Sequence, residues 1–244
     1  MKFKLVTYNI HRAIGLDRRF RPERISEILH KLDADVVLLQ EVDEGVPRSK
    51  ELNLAKVLAE SNDYPFWKLE HNVTLRKGRY GNALLSRHPI VFNKNIDLTI
   101  GNKKKRGCLF SQIKIDNYLL NVFNLHLGLS ETERQKQAAI LLKSKEFKQI
   151  KPNSPTIVAG DFNDWRSMLR ALFVVGKEFV CATDQLKNGD DVAIKTYPSF
   201  APRGGLDRVY YCGDLKHLLV KKYSYKPAKI ASDHLPLVTE FEFQ

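Results

Sequence analysis

Apolar and polar positions divide this chain into strands and helices that are mixed along its whole length. Phe3 to Ile10 alternates enough to predict a strand. Pro22 predicts a helix start, because its missing N–H costs nothing in a first turn. Ile25, Ile28, Leu29 and Leu32 then repeat at helical spacing and give that helix one apolar face. Val36-Val37-Leu38-Leu39 reads as a short buried strand, and Leu52, Ala55, Leu58 and Ala59 mark a second helix. A strand-rich middle follows: Ala83 to Leu85, Val91 to Leu98, Leu109 to Ile115 and Leu119 to Leu125, with Asp116-Asn117 as a tight turn between the last two. Ser130 with Glu133 forms a capping-box pattern that predicts one long helix over Glu131 to Gln149. Thr156 to Ala159 is a further buried strand ending at Gly160, followed by a short helix near Met168 to Val175. Arg208 to Tyr211, Leu218 to Val220 and Leu237 to Phe243 are the last predicted strands. No internal repeat and no linker rich in Gly, Pro or Ser interrupts the pattern, so residues 1–244 are expected to form a single α/β domain.

Composition narrows the class. The 244 residues carry 40 Lys and Arg against 28 Asp and Glu, a net charge of +12, and 43% are hydrophobic. That balance excludes a disordered chain, and no apolar run approaches the ~18–20 residues of a membrane span. Cys108, Cys181 and Cys212 are odd in number and far apart, which suits reduced thiols rather than a disulfide framework or a zinc site. Lys4 and Asn9 bracket too short an apolar run for a signal peptide, so a cytoplasmic location is expected. A secretion route without a signal would leave no mark. Basic runs at Arg18 to Arg21, Arg76 to Arg79, Lys103 to Arg106 and Lys221-Lys222 have an ordinary role as solvated loops. The overall positive charge nonetheless suits an anionic partner: nucleic acid, a phosphorylated small molecule or a lipid surface.

Candidate chemistry lies in the polar residues that end the buried strands. Asn9 and His11 follow the first strand, Gln40-Glu41 the second, His126 the strand from Leu119, and Gly160-Asp161-Phe162-Asn163 the strand from Thr156. Asp207 precedes a late strand, and Ser232-Asp233-His234 lies in a late loop. Each alone suits a turn, a cap or a surface position. Together, strands sharing a sheet would bring them to one edge. Several carboxylates and an Asn offer hard oxygen ligands that suit Mg²⁺ or Mn²⁺ better than zinc. Two histidines supply donors for phosphate oxygens, and an Asp can orient or deprotonate water. This is a set suited to in-line attack of water on phosphorus. No Walker-type loop and no serine nucleophile elbow is present.

These motifs resemble the endonuclease/exonuclease/phosphatase superfamily. They are Thr7-Tyr8-Asn9-Ile10-His11, Leu39-Gln40-Glu41-Val42, Asn124-Leu125-His126-Leu127, Gly160-Asp161-Phe162-Asn163, Leu206-Asp207-Arg208-Val209 and Ser232-Asp233-His234-Leu235-Pro236. The resemblance implies a four-layer α/β sandwich, with two mixed, mainly antiparallel sheets packed face to face and flanked by helices. It implies Glu41 as main metal ligand, with Asn9 beside it and Asp233 assisting. It further implies that Asp161 activates water, that Asn163 helps fix the phosphate, that His126 reaches a phosphate oxygen, and that Asp207 orients His234 against the scissile phosphate. The absence of a Tyr-x-x-Asn segment at Asn124 argues against abasic-site incision, and the stretch before Asp207 departs from the inositol 5-phosphatase pattern. His126 is the arrangement of deoxyribonuclease I-like and sphingomyelinase-like members. Other segments are similar to small stand-alone bacterial hydrolases of the superfamily. Arg48 and Asn82 are candidate substrate contacts, with a structural role as the equal alternative.

The expected activity is Mg²⁺- or Mn²⁺-dependent hydrolysis of a phosphoester, foremost a nuclease-like phosphodiester cleavage. A phospholipid- or sphingomyelin-type phosphodiesterase or phosphatase is the alternative. The partner is then nucleic acid or an anionic phospholipid head group, met by a monomer. A reading from another class is a catalytically inactive nucleic-acid-binding protein on the same fold. Retention of Glu41, Asp161 and His234 speaks against it.

Overall fold

The structure is a computed structural model that describes residues 1–187 and 190–244. The chain runs through strand β1 (Lys2–Asn9), helix α1 (Pro22–Leu32), β2 (Val36–Glu44), α2 (Leu54–Glu60), β3 (Phe66–Thr74) and β4 (Arg79–Ser86). Next come β5 (Ile90–Asp97), β6 (Gly107–Ile115), β7 (Tyr118–His126), α3 (Glu131–Lys143), α4 (Lys145–Lys148), β8 (Thr156–Asp161) and α5 (Arg170–Lys177). It ends with β9 (Val180–Cys181), β10 (Asp184–Lys187), β11 (Asp190–Ala193), β12 (Asp207–Cys212), β13 (Leu215–Lys222), α6 (Lys226–Ala231) and β14 (Leu237–Phe243). Among the described residues these strands form two six-stranded sheets, ordered β13-β14-β1-β2-β4-β3 and β5-β6-β7-β8-β12-β9, and a separate β10-β11 hairpin.

Each sheet has one parallel pair at its middle, β1 with β2 and β7 with β8, and antiparallel neighbours on both sides. The two sheets therefore repeat one topology that no sequence repeat announces. Alternation along the central strands sends side chains to two separate cores. Leu5, Val36, Leu38, Val122, Ile157 and Phe241 meet between the sheets. Val6, Tyr8, Val37 and Leu39 face outward onto α1, α2 and α6. Phe123, Val158 and Tyr210 face outward onto α3, α4 and α5. The expected four-layer sandwich follows from these three apolar clusters.

Three local expectations are corrected. Strand β2 does not stop at Leu39: it crosses a bulge between Leu39 and Val42, where Glu41 takes φ 56°, and continues to Glu44. The bulge turns Glu41 out of the alternating pattern, which is how a carboxylate emerges from a buried strand. The single long helix after Ser130 is broken at Ser144, whose backbone is extended (ψ 154°) and whose Oγ accepts from Phe147 N at 3.2 Å. The break seats Phe147 in the outer core. Strand β3 is an addition to the expected elements: Trp67, Leu69 and Val73 alternate with Lys68, Glu70 and Asn72, and the strand is half-exposed on the sheet edge.

The inter-sheet layer turns polar toward one end. Asn124 of β7 is fully buried, and its Nδ2 donates to Leu39 O at 3.0 Å and Ala83 O at 2.8 Å. Its Oδ1 accepts from Gln40 Nε2 at 2.8 Å, and Gln40 also donates to Thr7 Oγ1 at 3.1 Å. One amide thus ties β7 to β2 and β4 across the sandwich, two residues before His126. Replacing Asn124 with Ala removes three buried hydrogen bonds between the sheets. The expected loss is about 3 kcal/mol, measured as a lower urea midpoint with unchanged m-value.

Candidate active site

The C-terminal ends of β1, β2, β7 and β8 converge at this polar end. Gly160 sets the last turn of β8: its φ is 139°, and a Cβ there would lie 2.0 Å from Leu125 O. Only glycine lets β8 press this closely on β7. Asp161 follows and is 1% exposed. Its Oδ1 accepts from Asn163 N at 2.9 Å, with Asn163 in the left-handed region at φ 50°. Phe162 between them is buried in the outer core and anchors the turn. Asn163 Nδ2 donates to Leu127 O at 2.9 Å, which ties the loop after β8 to the loop after β7.

Asp161 Oδ2 is the meeting point. It accepts from Asn9 Nδ2 at 3.0 Å, a bond between the two sheets. His126 Nε2 lies 3.4 Å from it and His234 Nε2 3.6 Å. The two imidazoles differ in charge, one neutral and one cationic. Burial, reinforced by Arg106 and His234, drives the pKa of His126 well below its ordinary value, so it is neutral. Burial also opposes charge on His234, but Asp207, Asp161 and Asp233 outweigh it and raise its pKa to about 10. Burial in turn raises the Asp161 pKa against the pull of His234.

His234 is held from behind. Its Nδ1 donates to Asp207 Oδ2 at 2.9 Å, and Thr196 Oγ1 makes a short hydrogen bond to the same oxygen. Ser232 Oγ accepts from His234 N at 3.2 Å and donates to Asn9 O at 2.6 Å, joining the late loop to β1. Asp233 is half-buried, with Oδ1 3.4 Å from Ser232 Oγ. The Tyr197 ring lies 5.0 Å from that of His234.

Glu41 stands beside this cluster. Its Oε2 is buried without a hydrogen-bond partner, 3.3 Å from Arg12 Nε, which also lacks a hydrogen bond. The two are close enough for charge attraction but misaligned for an N–H···O bond. Arg12 belongs to a turn after β1 in which His11, Arg12 and Ala13 all have positive φ. Asn9 Oδ1 accepts from His11 N at 3.0 Å and so faces the same turn.

Both residues proposed as substrate contacts also make bonds within the chain. Asn82 is buried, and its Nδ2 donates to Gly107 O at 3.0 Å and Asn124 O at 3.2 Å, so it bridges the sheets. Arg48 forms a two-pronged pair with the fully buried Asp43, at 2.9 and 2.8 Å. Sequence reasoning missed Thr196 and Arg12. Neither shares a motif with its partner, and only folding brings each to its carboxylate.

The model of the endonuclease/exonuclease/phosphatase family matches residues 6–234. The chain belongs to that family. Family members are hydrolases acting on phosphoesters. The uncharacterized protein YbhP of Escherichia coli is 30% identical over 98% of this chain and 95% of its own length. Among solved structures, a family protein from Beutenbergia cavernae superposes with a TM-score of 0.81 at 20% identity, over 99% of this chain and 72% of that one. D. rerio TDP2, complexed with single strand DNA product, gives 0.77 at 16% identity over 99% of both chains. A mannosyl-6-phosphatase from Bacteroides thetaiotaomicron gives 0.74 at 18%, over 99% and 100%. These structural likenesses establish the shared fold.

The donor atoms fit the divalent metal that the family implies. Glu41 Oε2 is a buried carboxylate oxygen without a hydrogen bond, and Asn9 Oδ1 is a second hard oxygen. Asp161, Asp207 and His234 also offer three ligand atoms within 4.8 Å of one another. In that set His234 Nδ1 is already engaged by Asp207. Among the described residues no helix is long and apolar enough to cross a membrane.

Asp207 favours the charged imidazole, so removing its charge lowers the pKa of His234. In metal-free Asp207→Asn protein, the ¹⁵N shifts of His234 should therefore titrate at lower pH than in wild type. Identical titrations would mean that the pair is uncoupled.

Proposed function

We propose that this family member hydrolyses a phosphodiester by in-line attack of water, with Mg²⁺ or Mn²⁺ held by Glu41 and Asn9 and assisted by Asp233. The observation that carries the reading is Asp161 Oδ2, a buried carboxylate oxygen flanked by a neutral and a cationic imidazole. When bound, the cation supplies a Lewis acid that offsets charge growing on the phosphoryl oxygens. Asp161 orients the attacking water and takes its proton, fixed in aim by Asn9 and by Asn163 N. His234 donates from Nε2 to a phosphoryl oxygen while Nδ1 stays on Asp207. His126, with Nε2 toward the same centre, is a neutral donor that adds no repulsion to the nearby cations. The water oxygen bonds to phosphorus as its proton passes to Asp161, the ester P–O bond breaks, and the leaving oxygen takes a proton from solvent. A net charge of +12 favours a polyanionic substrate, nucleic acid or an anionic lipid head group.

Assays with Mg²⁺ and Mn²⁺ on DNA, RNA, phosphatidylglycerol, sphingomyelin and a bis-aryl phosphodiester test this reading. Asp161→Asn should lower kcat on the order of 10²–10⁴-fold with little change in KM, because orienting water matters in the transition state. A loss confined to KM would sink that role. Glu41→Gln keeps side-chain volume and removes charge, so activity should require far more metal. An unchanged metal titration would remove Glu41 from the metal site.

A further inference from the structure

Arg106 is a buried charge without a counter-charge. It closes the long β5–β6 connection, where Leu98 N donates to Arg106 O at 2.9 Å and Arg106 N donates to Thr99 Oγ1 at 3.4 Å. The residue is 6% exposed, and its Nε is buried with no hydrogen-bond partner. Among the described residues no carboxylate pairs with its guanidinium, whereas buried Arg208 pairs with Asp184 at 3.0 Å and half-buried Arg48 with Asp43 at 2.8 Å. An arginine cannot shed its proton to relieve the cost of burial, and Glu41, the carboxylate that lines the same pocket, makes no ion pair with it, so the pocket can take an anion from outside the chain. The basic run Lys103–Arg106 is thus not wholly a solvated loop.

The surroundings indicate what that anion is. Arg106 lines a small pocket together with Glu41, His126, Tyr80 and Lys105. Beyond it, Lys104 Nζ lies 5.5 Å from the Tyr80 ring centroid and the Arg48 guanidinium 5.4 Å from the same ring. These cations therefore form a row around Tyr80, beside Glu41 and His126. One phosphate at the reacting centre, already served by His126 and His234, cannot also engage that row.

We propose that Arg106 is a phosphate receptor on the Glu41–His126 side of the centre, and that Lys105, Lys104 and Arg48 extend it, so that the substrate carries a further phosphate beside the one cleaved. This rests on the phosphoester reading of the centre, yet it is testable without metal or turnover, so either can fail alone.

The full chain in EDTA is melted with and without inorganic phosphate, for wild type, R106M and R106K. R106M replaces an unpaired charge with an apolar chain of similar length, so without phosphate it should melt at or about 2–4 °C above wild type. It should lose most of the phosphate-dependent rise, and R106K should recover part of it. In the same buffer, binding of a labelled single-stranded oligothymidylate should weaken about tenfold in R106M. The slope of log K against log salt should become shallower by about 0.7 in R106M and again in K104M, as for one lost phosphate contact each. Equal phosphate responses in wild type and R106M, or R106M melting below wild type, would overturn the receptor. An unchanged slope in K104M, or binding to phosphatidylglycerol vesicles with none to the oligonucleotide, would overturn the second phosphate.

Discussion

The hydrogen bond from Asn9 Nδ2 to Asp161 Oδ2, 3.0 Å long and buried, is the contact around which the rest is arranged. It joins the end of β1 to the end of β8, each a member of the central parallel pair of its sheet. A charged carboxylate at 1% exposure is costly unless its oxygens are bonded. Both are: Oδ1 to Asn163 N, Oδ2 to Asn9. The sheets must therefore stay in register at this end. The Gln40–Asn124 bond, 2.8 Å long, enforces the same alignment one layer deeper.

Left-handed backbone recurs at this place. His11, Arg12 and Glu41 take positive φ, a region that side chains other than those of Asn and Asp enter reluctantly, and Asn163 takes it as an Asn readily does. At Glu41 the departure turns a carboxylate out of a strand that would otherwise alternate into a core, and at the other positions it shapes the turns that follow β1 and β8. The cost is met by the three apolar clusters, which hold the strand ends whatever the site requires.

Charge follows a similar division. Carboxylates behind His234 hold one imidazole charged, while burial and the cations beside His126 hold the other neutral. Identical side chains only a few ångströms from one oxygen thus differ in charge through what stands behind them. Paired arginines such as Arg208 brace loops, whereas unpaired Arg106 remains free to act on an incoming anion.

Much of this was legible in the sequence. The apolar periods of α1, β2 and β7, the Gly160–Asn163 turn and the motif order from Asn9 to His234 are local patterns, and local patterns record which residues face a core and which end a strand. Other features depend on strands distant in sequence. The bulge at Glu41 arises only when β2 is laid against β4. The bridging role of Asn82 requires β6 and β7, and Thr196 reaches Asp207 only through a folded loop. Arg106 belongs to a run of four cations that sequence treats alike, and solvation alone separates them. The sequence by itself determined which side chains end the buried strands. Tertiary structure decided which of them are buried, paired or left without a partner, because burial and pairing are properties of neighbours that the chain supplies from far away.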